Sequence, residues 1–234
     1  MIKFIKEEIK VIYERDPAIK TPLEVFLYPS FHAIIRYRIG HWFYQHKRYF
    51  IARWFATRAT RRTGIEIHPG AVIGKGLFID HGLGVIIGET AIIGDNVTIY
   101  QGVTLGGTGK EHGKRHPTIG DNVMISAGAK VLGSFTVGAD SKIGAGSVVL
   151  KEVPPNSTVV GIPGKIVKRE NQKVHPRDLL DQTHLPDPVR QEICRLRIRI
   201  EALEKGKKEL TYDEVEAIRI EYCQDCPDDL LYRK

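Results

Sequence analysis

Two short stretches place imidazoles among acids, cations and glycines. The first is Ile79-Asp80-His81-Gly82. The second is Gly106-Gly107-Thr108-Gly109-Lys110-Glu111-His112-Gly113-Lys114-Arg115-His116-Pro117. An imidazole titrates near neutrality, so it can take a proton from a bound hydroxyl. Neither Ser nor Cys stands beside His81 as a nucleophile, which leaves His81 as a general base. Glu66, fifteen residues earlier, is a carboxylate able to back the ring and fix its tautomer, the orienting role of a triad acid. The second stretch, with its glycines and cations, suits an anionic ligand. It is not a P-loop, because no Gly-Lys-Ser/Thr follows the glycines. His112 and His116 are four apart, a spacing that zinc sites also use, so a metal is a second reading.

Both stretches interrupt a repeat. Apolar residues recur every sixth position in three runs: Ile67, Ile73, Ile79; then Ile87, Ile93, Ile99, Leu105; then Ile119, Ile125, Val131, Val137, Ile143, Val149. The residue that follows is often Gly, and the residue two before is mostly small or apolar, as at Ala71, Val85, Ala91, Val97 and Ala129. A period of six fits neither an amphipathic helix nor an alternating strand. It is the mark of a hexapeptide solenoid, a parallel β-helix. Three hexads close one triangular coil, with the repeated aliphatics inward and the next coil about 4.8 Å above. The register slips by two residues between Ile79 and Ile87 and by eight between Leu105 and Ile119. Insertions in a solenoid go to its surface, often to the binding face.

The flanks are helical in pattern. Ile2, Ile5, Ile9 and Ile12 share one helix face. Asp16-Pro17 ends that helix, Thr21-Pro22 opens the next, and Pro29-Ser30 is a break with Ser30 as a cap. One or two aromatic-rich helices follow over 31–60, and Thr63-Gly64 hands over to the solenoid. The expected division is a helical domain over 1–63, a β-helix over 64–168, and a linker with a helical tail over 169–234. Within that tail, 188–209 reads as a helix, and Thr211 with Glu214 as a capping box.

At 234 residues the chain can bury a full core. The net charge of +7 favours anionic partners. The acid-free stretch 25–65 has no nucleic-acid-reading motif with it. Three cysteines are too few for a disulfide framework and fit a reducing compartment. Cys223 and Cys226 form a single CxxC, short of the four ligands a structural zinc needs. No signal peptide or membrane-length apolar run is present, so a cytoplasmic protein without membrane contact is expected.

Several segments resemble the serine O-acetyltransferase family of hexapeptide acyltransferases. They are Glu66-Ile67-His68-Pro69, the Asp80-His81 corner, Gly88-Glu89-Thr90, the run Gln101 to Gly109, Arg115-His116-Pro117 and Gly161-Ile162-Pro163-Gly164. In the helical part they are Asp16-Pro17-Ala18, Phe31-His32-Ala33 and Arg38-Ile39-Gly40-His41-Trp42. The resemblance implies a left-handed β-helix and a homotrimer with sites between neighbouring solenoids. It implies that His81 takes the proton from the hydroxyl of L-serine, which attacks the thioester of acetyl-CoA directly. Acetyl-CoA is then a co-substrate, with no permanently bound cofactor or metal. Glu66 takes the place of the dyad acid, where the family often has Asp. Asp16, Asp80, Arg115 and His116 take positions that grip the amino acid, acids meeting the ammonium and arginine the carboxylate. The Gly107 amide stands where an oxyanion develops. Ala127, Lys142 and Ala145 map to the coenzyme A groove. Only about sixty residues precede the solenoid, fewer than in the long form whose trimers pair, so a hexamer is not expected. The chain ends Leu230-Leu231-Tyr232-Arg233-Lys234, without the isoleucine that docks into cysteine synthase, so that partnership lacks its usual anchor. From the residues alone, three rivals stay open: a sugar or xenobiotic O-acetyltransferase, a zinc-dependent hydratase on the same fold, and a purely structural scaffold.

Overall fold

A computed structural model describes residues 2–107, 109, 112–169, 188–204, 210–212, 214, 215 and 218. Residues 170–187, within the expected linker, and the Cys223/Cys226 pair lie outside the described residues. The chain forms two compact units, 1–185 and 186–234.

The hexads build a three-sided parallel prism. Its first face holds the strands Glu66–Ile67, Ile86–Ile87, Thr104–Gly106, Lys130–Leu132 and Val148–Val149. Its second holds Val72–Ile73, Ile92–Ile93, Thr118–Ile119 and Thr136–Val137. Its third holds Phe78–Ile79, Thr98–Ile99, Met124–Ile125, Lys142–Ile143 and Ser157–Val160. On the first face Ile67 lies beside Ile87, Ile87 beside Leu105, Leu105 beside Val131 and Val131 beside Val149. Those steps are 20, 18, 26 and 18 residues, so the insertions of two and eight are the only departures from an eighteen-residue coil on that face. All thirteen repeat positions point inward in one continuous core, none more than 6% exposed. Val153 and Val159 extend that core past the last hexad.

The prism edges differ in how they turn. Between the second and third faces, Asn96, Asn122, Asp140 and Asn156 all have positive φ. Short polar side chains tolerate that left-handed backbone better than other non-glycine residues. Between the third and first faces the positive-φ residues are His81, Gly82, Gly84, Gly102, Gly128 and Gly146. This edge therefore presents backbone and few side chains.

The helices are α1 (Ile2–Arg15), α2 (Pro29–Gln45), α3 (Tyr49–Thr63) and α4 (Pro188–Glu204), with a short 3-10 turn at Pro22–Leu27. Thr21 and Glu24 form a capping box at that turn. Ser30 is not the cap of α2: Pro29 occupies the first helical position, Tyr28 precedes it, and Ser30 is buried. The fixed φ of proline suits that first position. Gly64 ends α3 in the left-handed conformation, with φ 69°. Thr211 and Glu214 make the reciprocal bonds of a capping box. The exit from the prism is a hairpin, since Lys165–Arg169 pairs antiparallel with Ser157–Val160. Among the described residues no helix is long and apolar enough to cross a membrane.

The opening coil has no coil below it, so its edge groups need partners. Helix α2 supplies them. Tyr37 donates to the Ala71 carbonyl, Arg38 to those of Ile73 and Gly74, and His41 Nδ1 lies 2.8 Å from that of Pro69. Helix α1 covers the third face, where Phe78 joins Ile12, Ile19, Val25 and Phe31 in a second core. Arg15 reaches Thr98 on that face. The docking of α1 over Phe78 brings its C-terminal end to the Asp80-His81 corner.

Glu8 of α1 is 2% exposed, and its Oε2 has no hydrogen-bond partner. Burial pushes its carboxyl up from 4.5 to about 7, against the pull of Arg38 and Arg15. The folded chain thus holds this proton to higher pH than the unfolded chain does. Stability falls as pH rises from 4.5 towards 7 and is level beyond. Glu8→Gln removes that loss, on the order of 2–3 kcal/mol. Its unfolding temperature should exceed that of the parent by roughly 5–10 °C at pH 8 and match it near pH 4. Calorimetry at both values checks this, and an equal difference at both would contradict it.

Candidate active site

Residues 80–84 turn the third face into the first. His81 occupies the left-handed region at φ 56°, a strain of the kind that clusters at functional sites. Its side chain is 75% exposed, and Nε2 lies 3.9 Å from Asp80 Oδ1. Burial raises the Asp80 carboxyl above its ordinary range; His81 pulls it back and Asp16 pushes it further up. Asp16 arrives from the end of α1. Its Oδ1 accepts from the Ala18 amide at 2.8 Å and its Oδ2 from the Tyr28 hydroxyl at 2.6 Å. Burial, the bond to Asp16 and the Asp16 charge all hold the Tyr28 proton in place. Asp16, Tyr28, Asp80 and His81 thus form one cluster, with two carboxyl groups beside a base. Such a cluster can hold a cation next to an imidazole able to accept a proton.

Glu66 is exposed on the outer side of the first face. Among the described residues the carboxylate within 4.0 Å of the His81 ring is that of Asp80, and Glu66 makes no ion pair. The same edge rises from His81 through Gly102, Ala127-Gly128 and Ala145-Gly146. Amide-to-carbonyl bonds link Gly102 to Leu83, Gly128 to Gln101 and Gly146 to Ala127. No atom lies within 4 Å of where a Cβ would stand on Gly146. Above Leu83 and Gln101, whose side chains are exposed, this edge carries only small residues at Ala127-Gly128 and Ala145-Gly146. Lys142, half-buried, projects from the third face beside it.

The eight-residue insertion leaves the prism at a different edge, between the first and second faces. Gly107 begins it, and a Cβ there would stand 3.0 Å from the Arg115 carbonyl. Arg115 Nη2 donates to Glu89 Oε2 at 2.5 Å, and Tyr44 donates to Oε1 of the same carboxylate at 3.0 Å. The bond from Arg115 and then that from Tyr44 hold Glu89 below the usual carboxylate range. His116 is 8% exposed and packs over Gly88, where a Cβ would be 2.0 Å from its Cδ2. Burial, then the Arg115 charge, push its imidazole down. Nearby, Tyr44, Tyr49, Arg53, His68, Pro69 and Glu89 line an open hollow of about 320 Å³. His68 is pushed down to about 4, chiefly by burial and then by Arg53. His112 is exposed, and among the described residues no three His, Cys, Asp or Glu side chains converge as a metal cluster.

One chain therefore carries two separate clusters of the expected site residues. Asp16, Asp80 and His81, with Ala127, Lys142 and Ala145, lie at the edge where the third and first faces meet. Gly107, Arg115 and His116 lie at another. The sequence did not point to Tyr28, Tyr44, Glu89 or Thr90 as site residues. Gly88-Glu89-Thr90 stood out as a segment, but nothing in its spacing shows that 115–116 folds onto it.

Residues 116–151 match the model of the bacterial transferase hexapeptide family (six repeats). The serine acetyltransferase of Bacillus licheniformis is 56% identical over 215 residues, spanning 92% of this chain and 97% of that relative. A crystal structure of the Brucella abortus serine acetyltransferase in complex with coenzyme A aligns with a TM-score of 0.71 at 46% identity, over 74% of this chain and 69% of that one. The Neisseria gonorrhoeae serine acetyltransferase in complex with serine gives 0.68 at 47% identity, over 71% and 69%. The parallel coils are those of a left-handed β-helix with an N-terminal helical region. With more than half of its aligned residues identical to a relative that it matches over nearly the whole length, the chain belongs to the serine acetyltransferase family.

Proposed function

We propose that His81 is the general base in the transfer of acetyl from acetyl-CoA to the hydroxyl of L-serine, in a site that a second copy completes. The transfer itself is the reaction of the family. The Brucella relative binds coenzyme A and the Neisseria relative binds serine. One observation carries the residue assignment: Asp16 and Asp80 come together beside His81, at the foot of the edge that rises through Gly102, Gly128 and Gly146. The ammonium of serine stands between the Asp16 and Asp80 carboxylates. Its hydroxyl gives its proton to the His81 imidazole as the oxygen attacks the thioester carbon. Negative charge gathers on the carbonyl oxygen, where the Gly107 amide of the neighbouring copy donates. The carbon–sulfur bond then breaks, and the imidazolium returns the proton to the departing thiolate. Coenzyme A lies along this edge over Ala127 and Ala145, with Lys142 towards its phosphates. Arg115 and His116 of the neighbour hold the carboxylate of serine. Glu66 is the proposed orienting acid behind His81.

The two half-sites lie on different edges of one prism, and a threefold assembly lays each against the other. A homotrimer is the proposed state, in the cytoplasm, with residues 1–63 as the helical domain, 64–168 as the β-helix and 169–234 as linker and tail. Release of free thiol from acetyl-CoA tests the substrate. It should require L-serine and not occur with sugars. Turnover with a sugar acceptor and none with L-serine would refute the reading.

A further inference from the structure

The Gly88-Glu89-Thr90 turn faces residues 114–116, and Thr90 engages them through its amide, its carbonyl and its hydroxyl. The Thr90 amide donates to His116 Nδ1 at 3.1 Å. The Thr90 carbonyl accepts from Lys114 Nζ at 2.8 Å, and the same ammonium reaches the His116 carbonyl at 2.6 Å. Thr90 Oγ1 accepts from the Arg115 amide at 3.0 Å and from the His116 amide at 3.1 Å, and lies 2.9 Å from His116 Nδ1. A hydroxyl has one donor and two acceptor sites. Both acceptor sites are spent on the two loop amides, and the donor side faces His116 Nδ1, whose single lone pair it shares with the Thr90 amide. Nδ1 receives a donated amide proton, so it carries none of its own, and Nε2 holds the proton of the neutral ring. Beneath the ring, Gly88 leaves room that a methyl would fill. Beside it, Glu89 ties the Arg115 guanidinium to Tyr44.

We propose that Thr90 is a positioning residue for serine binding: it holds the backbone of Arg115 and His116 and fixes His116 as the Nε2-protonated donor. The inference rests on the reading that Arg115 and His116 grip the carboxylate of serine. A donor fixed at Nε2 suits a carboxylate, whereas the other tautomer would present a lone pair to it.

Steady-state kinetics on the full chain, with L-serine and acetyl-CoA varied separately, test it. Thr90→Val keeps the shape and removes the hydroxyl. It should raise the KM for serine between about tenfold and a hundredfold, the scale of a misplaced binding group. The KM for acetyl-CoA should stay within about twofold. Thr90→Ser, which keeps the hydroxyl, should restore serine binding. In a His116→Asn background, Thr90→Val should add little, because residues acting as one unit are not additive. An unchanged serine KM in Thr90→Val overturns the proposal, as does an equal rise in both KM values or equal damage in Thr90→Ser. If instead His116→Asn and Arg115→Lys both leave serine binding intact, the underlying reading fails. Should Thr90→Val not fold, nitrogen NMR of histidine in the parent protein still decides. His116 must show a protonated Nε2 and a bare Nδ1, and the reverse tautomer overturns the proposal.

Discussion

His81→Ala should lower kcat by at least about 10²-fold, the lower end for loss of a positioned general base. The fold should survive, because the ring is mostly exposed and surface substitutions usually stay within about 0.5 kcal/mol. Backbone strain complicates alanine at this position, since φ is 56° and alanine dislikes the left-handed region. His81→Asn removes that ambiguity. Asparagine tolerates the conformation but cannot accept the proton. Both variants should therefore lose turnover alike, while calorimetry shows intact folding. Near-normal turnover in either would remove His81 from the role. Glu66→Gln should cost less, because an orienting acid acts through the ring and not on the substrate. An unchanged rate there would discard Glu66 as the partner, leaving Asp80, the acid that pairs with the ring in this structure.

The prism was legible because its packing is periodic. A triangular coil returns to the same face every eighteen residues, so each inward position repeats and each insertion shows as a broken count. All thirteen repeat positions are buried for that reason, and both slips fall at edges. The helix ends were legible from proline and glycine, except where Pro29 took the first position and left Ser30 inside. The exit strand Lys165–Arg169 was not foreseen, since a hairpin after the last coil has no repeat to announce it. The proposed site was legible only in part. His81, Asp80, Arg115 and His116 are carried by the two breaks. Tyr28 joins Asp16 across twelve residues, Tyr44 joins Glu89 across forty-five, and Thr90 joins His116 across twenty-six. Those pairs are made by the docking of α1 and α2 and by the return of the loop, and no local pattern encodes them.

The proposed pairing of the two edges between copies predicts a result that no single substitution can test. A chain lacking His81 still has an intact Arg115 edge, and a chain lacking Arg115 still has an intact His81 edge. Each homogeneous variant should be nearly inactive. In a cyclic assembly, the interface is heterologous, so one surface of each copy meets a different surface of the next. A hybrid can then place a sound His81 edge against a sound Arg115 edge.

Co-expression of His81→Ala with Arg115→Ala chains, followed by turnover of the purified hybrids, tests the shared site most directly. With equal, random mixing, on the order of a quarter of the interfaces are intact in a cyclic assembly, and turnover should recover to about that fraction of the parent. Hybrids no more active than the two variants alone would show that each copy works by itself, and the shared site would be wrong.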